Sequence, residues 1–76
     1  MTDPTFLSGI HLETWRELVD GVAGSRTKLE LREALGRAEG YARGLFESGR
    51  IAKTQREELC KGVSSAALTR VEGLPG

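Results

Sequence analysis

A single histidine, His11, and a single cysteine, Cys60, are the residues of this sequence best suited to metal binding or nucleophilic chemistry. They stand far apart in the chain, and neither has a second ligand at a paired spacing, whereas a metal site needs several such groups converging. His11 therefore reads as a surface or cap-adjacent residue at the start of a helix. Cys60 falls on an apolar helix face and reads as a small core residue. The 11 Asp and Glu residues are interleaved with 11 Lys and Arg, and no carboxylate pair is set apart so as to split its pKa values for acid–base work. No glycine-rich segment sits in the strand–turn–helix context of a phosphate-cradling loop. The expectation is a protein without catalytic residues, metal ligands, cofactor or small-molecule substrate.

One spacing is unusual. Gly36, Gly40 and Gly44 recur every fourth residue within a helical pattern, and at about 3.6 residues per turn they lie opposite its apolar stripe. Each glycine inside a helix costs about 0.8–1 kcal/mol relative to alanine. Three on an exposed face point to close approach by another backbone, from a partner protein or a second copy. Arg32, Arg37 and Arg43 flank them, giving a candidate partner-binding surface of Arg32, Gly36, Arg37, Gly40, Arg43 and Gly44. A bend near Gly40, or packing of the third helix on that side, would account for the glycines equally.

Those side chains have to be positioned by a small core. With 76 residues and four aromatics (Phe6, Trp15, Tyr41, Phe46), the chain suits one domain near the lower size limit for folding without staples. One cysteine excludes an intramolecular disulfide, and with no secretory apolar region near the amino terminus the chain reads as cytoplasmic. No apolar run approaches a membrane span. The net charge is zero but unevenly placed: −3 over residues 1–25, +4 over 26–56 and −1 over 57–76. A basic middle suits an acidic partner or a phosphate backbone.

The periodicity predicts an all-α, compact three-helix bundle with helices at about 10–23, 27–47 and 54–72. Residues 1–9 form an N-terminal arm pinned by Phe6 and Leu7, and 10–76 form the single helical domain. Leu12, Trp15, Leu18, Val19 and Val22 share one side of the first helix, and Gly24 is placed to end it in a left-handed conformation. Thr27 with Glu30 forms a capping box at the start of the second. Its stripe is Leu31, Ala34, Leu35, Ala38, Tyr41, Ala42 and Leu45. Thr54 with Glu57 repeats the box, Leu59, Cys60, Val63, Ala67 and Val71 make the third face, and Gly73 with Pro75 supplies a stop. The alternative is that Gly62 with Ser64 divides this last helix in two.

That division matters because Gln55, Glu57-Glu58-Leu59 and then Gly62-Val63-Ser64 lead into Ser65–Gly73. The run resembles the turn and recognition helix of repressor-type helix-turn-helix DNA-binding domains. The resemblance covers residues 54–73, about a quarter of the chain. It implies Ser65, Ala66 and Thr69 facing the major groove and Arg70 near phosphates.

Two functions follow as expectations. The first is a small non-enzymatic adaptor or modulator that binds another protein, with homodimerisation as one mode, of the kind that serves as regulator or inhibitor in bacteria, phages and plasmids. The second is a helix-turn-helix DNA-binding regulator.

Overall fold

Helix-forming sequence separated by two short connections leaves adjacent helices little choice but to pack antiparallel. The computed structural model describes residues 3–75. It contains α1 (Gly9–Ala23), α2 (Lys28–Glu47) and α3 (Lys53–Val71), with no strand among the described residues. Residues 24–27 and 48–52 join them, and each helix packs against both others. The result is the expected three-helix bundle, about 38 Å long and 18–20 Å across.

The core takes one stripe from each helix. Trp15 and Val22 come from α1, Leu31, Ala38, Ala42 and Leu45 from α2, and Leu59, Val63 and Ala67 from α3. Leu12, Leu18, Val19, Leu35, Tyr41, Cys60 and Val71 pack around them, partly buried. The alanines of α2 let its backbone sit close to its neighbours, so a few large side chains suffice to fill the interior. Leu7 of the arm and Ile51 of the second connection complete the core.

The arm is folded against the bundle. Leu7 N–H donates to the Pro4 carbonyl at 3.4 Å, a turn that drives the Leu7 side chain inward and leaves Phe6 half-buried beside it. The Arg16 guanidinium donates through Nε (3.1 Å) and Nη2 to one Asp3 oxygen, tying the arm to α1. That guanidinium holds the Asp3 carboxyl below the ordinary carboxylate range.

The helix ends follow local hydrogen bonding. At α2, Thr27 Oγ1 accepts from Glu30 N–H at 3.1 Å. The Glu30 carboxylate reaches back one residue further than a capping box requires, accepting from Arg26 N–H at 2.7 Å. At α3 the Thr54–Glu57 box does not form. The helix begins at Lys53 with Ala52 as N-cap, and Gln55 Oε1 accepts from Ala52 N–H at 2.8 Å. Alanine has no side-chain acceptor, so only this reciprocal half of a capping box is present.

The stops also differ from expectation. Gly24 caps α1 with φ −93°, not left-handed. α3 runs into a turn in which Gly73 N–H donates to Arg70 and Leu74 N–H to Val71. The left-handed stop is at Gly49, φ +77°. There Arg50 N–H donates to the Leu45 carbonyl at 2.9 Å and Gly49 N–H to Phe46 at 3.0 Å, the paired bonds of a Schellman motif. Neither Gly40 nor Gly62 interrupts its helix.

Candidate functional site

The outer face of α2 is fixed by its inner one. Because Leu31, Ala38, Ala42 and Leu45 must point inward, helical geometry turns Gly36, Gly40 and Gly44 outward. All three are exposed, and a Cβ built on any of them would meet nothing within 4 Å. α2 runs unbroken through all three, and α3 does not pack against them. Arg32, Arg37 and Arg43 are exposed on the flanks, and Arg43 Nε pairs with Glu47 Oε1 at 2.8 Å, one turn along. Leu29, 62% exposed, falls on the same outer line by helical period.

The electrostatics of this face differ from the charge expected of the middle segment. Over α2 itself, Lys28, Arg32, Arg37 and Arg43 are balanced by Glu30, Glu33, Glu39 and Glu47. The excess comes from Arg26 and from Arg50, Lys53 and Arg56 at the α2–α3 corner. Arg56 is partly spent inside the fold, its guanidinium 5.1 Å from the Phe46 ring centroid. The glycine face is thus flat and mixed in charge, with basic surface at its C-terminal end.

The four residues suggested by the helix-turn-helix resemblance do not share an open surface. α3 is continuous from Lys53 to Val71, so residues 54–73 contain no turn between two helices. Ser65 and Thr69 are exposed, with Thr69 Oγ1 donating to the Ser65 carbonyl at 3.2 Å. Ala66 packs against the core. Arg70 is half-buried, and its Nε donates to the Ser25 carbonyl at 2.8 Å. Ser25 is itself buried, with Oγ donating to Gly21. Arg70 therefore closes the α1–α2 connection against α3.

His11 and Cys60 are both engaged by the fold. His11 is half-buried, its Nδ1 hydrogen-bonded to the Tyr41 hydroxyl on α2 at 3.1 Å, a partner no local reading could supply. Cys60 packs beside the core, where burial pushes its thiol up; the Glu39 charge adds to this and Arg56 opposes it. Among the described residues no group of three or more His, Cys, Asp or Glu is placed to hold a metal ion. Nor is any helix there long and apolar enough to cross a membrane.

Two concave regions lie outside the sequence expectations. A groove of about 670 Å³ runs between α1 and α3 beside the arm, where Asp3, Arg16, Asp20 and Glu58 surround the edges of Trp15, Val19 and Leu59. A more polar one of about 550 Å³ lies between the arm and the α2–α3 corner, where Ser8, His11, Ser48 and Arg50 meet. Both need the arm and two elements distant in sequence, so no spacing within the chain announces them. Neither a family model, nor a curated protein, nor a solved structure matches the chain.

Proposed function

We propose that this chain is a non-catalytic helical adaptor or modulator that acts by binding another protein through the outer face of α2. Arg32, Gly36, Arg37, Gly40, Arg43 and Gly44 are the contact surface. The observation that carries this reading is the set of three aligned, exposed glycines for which the fold itself has no use. They forgo about 0.8–1 kcal/mol each relative to alanine, with no turn, close helix contact or left-handed backbone in return. What they offer is a strip without side chains on which a second backbone can come close. The same small-residue geometry brings helices together in membranes. The flanking arginines supply forked donors for a partner's carboxylates or carbonyls, and Leu29 adds an apolar anchor at one end.

The test is affinity capture on the tagged full chain from a lysate of its source organism, comparing wild type with Gly40→Arg, each with and without nuclease. The expected result is one protein partner that survives nuclease and is lost with Gly40→Arg, while far-ultraviolet circular dichroism stays unchanged. Capture unaffected by Gly40→Arg removes this face. Recovery that disappears on nuclease treatment replaces the reading with nucleic-acid binding. Sedimentation of the purified chain separates a second copy from a foreign partner.

A further inference from the structure

The polar cavity between the arm and the α2–α3 corner gathers groups of one electrostatic kind. Ser8 and His11 line it on one side, Ser48 and Arg50 on the other. Leu7, Leu45 and Ile51, all buried, give it shape and no open apolar surface. Among the described residues no carboxylate lines it, in a chain that carries 11 Asp and Glu. Its volume of about 550 Å³ falls within the range of small-molecule clefts, about 300–1,000 Å³.

Three of the four polar side chains have donors to spare. Arg50 is exposed and makes neither of the ion pairs among the described residues. His11 is held through Nδ1 by the Tyr41 hydroxyl at 3.1 Å; where that hydroxyl donates, Nε2 carries the ring proton and is a donor. Ser8 is the N-cap of α1, yet its side chain makes no capping hydrogen bond. Only Ser48 is committed, its Oγ donating to the Leu45 carbonyl at 3.1 Å. The start of α1 adds to these side chains. Its first turn carries no acidic residue, and its leading N–H groups have no partner within the helix. A guanidinium, an imidazole and a hydroxyl from segments distant in sequence thus converge on one cavity at the positive end of a helix, with no acidic side chain among them.

We propose that this cavity binds a phosphate group, either inorganic phosphate or the phosphoryl end of a small phosphomonoester. Arg50 supplies the forked charged donor, His11 Nε2 and the Ser8 hydroxyl take further oxygens, and the α1 amides favour the negative charge. The ligand is bound and not turned over. The site is independent of the α2 face and stands or falls apart from it. It needs the arm in place, because Ser8 reaches the cavity only while Leu7 is seated in the core.

The experiment follows backbone amides and the single histidine ring of the full chain by nuclear magnetic resonance. The chain is titrated with inorganic phosphate, with glycerol phosphate, and with chloride at matched ionic strength. The expected result is a saturable shift at Ser8, Gly9, His11 and Arg50 with either phosphate and none with chloride. Arg50→Gln weakens binding about tenfold or more, as the loss of a charged hydrogen bond requires, and His11→Ala about threefold. Arg50 is exposed, so Arg50→Gln keeps the fold and the test stays open if His11→Ala loosens the arm. Lys53→Gln removes a charge at the same corner but outside the cavity, and leaves the affinity within about twofold. Tighter binding of glycerol phosphate assigns the site to an organic phosphate, and equal binding assigns it to the inorganic ion. Shifts that grow linearly without saturation, equal shifts with chloride, or a loss with Lys53→Gln as large as with Arg50→Gln overturn the proposal.

Discussion

Replacing Gly36, Gly40 and Gly44 together by alanine should make the protein markedly more stable. None of the three has positive φ, each is exposed, and an added Cβ meets nothing within 4 Å. No strain or clash therefore opposes the substitution, and only helix propensity changes. At about 0.8–1 kcal/mol per site the gain is about 2–3 kcal/mol. Exposed methyl groups without shared partners should contribute almost additively. Against a total stability of roughly 4–11 kcal/mol for a domain of this length, that is a large fraction. It corresponds to a midpoint raised by roughly 10–20 °C. Urea and thermal unfolding followed by far-ultraviolet circular dichroism measure it directly, with each single variant run beside the triple. A neutral or destabilised triple variant would refute the reasoning, because it would mean that the fold uses the bare backbone in a way its geometry does not reveal. A stabilised variant that still captures the partner would uphold the energetics but remove the α2 face from function.

Three further outcomes follow from contacts already described. Arg70→Ala should cost about 1–3 kcal/mol in urea unfolding, because it leaves the carbonyl of buried Ser25 without the N–H that donates to it; an unchanged midpoint would mean that water replaces the guanidinium without loss. Gly49→Ala should cost about 1–2 kcal/mol, since φ +77° is unfavourable for a residue with a Cβ, and a neutral result would show that the Schellman turn relaxes. Cys60 should alkylate more slowly at neutral pH in the folded chain than in urea, because its raised pKa lowers the thiolate fraction. The same shift makes the unfolded thiol ionise first, so the associated stability is present below the ordinary thiol pKa and is lost as pH rises through the raised one. Equal alkylation rates in the two states would contradict the burial of Cys60.

The fold was legible because each helix repeats its apolar residues over several turns and the connections are too short for other topologies. Trp15, Val22, Leu31, Leu45 and Val63 all announce themselves by spacing. What misled were single-residue punctuation marks. Thr54 and Glu57 match a capping box, but such a match arises readily in a polar first turn, and Gln55 reaching Ala52 sets the start one residue earlier. Gly24 and Gly73 follow their helices as Gly49 does, yet only Gly49 turns left-handed. Which glycine does so depends on where the chain must go next: Arg50 has to turn back so that Ile51 enters the core. Gly62 resembles a turn but lies where Leu59, Val63 and Ala67 hold one continuous face inward. The α2 face could be read from sequence because it is local to one helix. The polar cavity could not, because tertiary packing alone brings Ser8 and His11 to Arg50. Segment charge misled for a related reason: it averaged a balanced helix with a basic corner.

The bond between Arg70 and Ser25 sets an order on folding. It spans 45 residues, whereas α1 with α2, and α2 with α3, are neighbours along the chain that can pair through short loop closures. As the chain leaves the ribosome, the α1–α2 hairpin can form first, but the Ser25 carbonyl has no guanidinium and Trp15 and Val22 lack their cover from α3. The last turns of α3 thus act as a latch that arrives late. Until it closes, the half-built bundle exposes the apolar side that α3 covers in the finished protein.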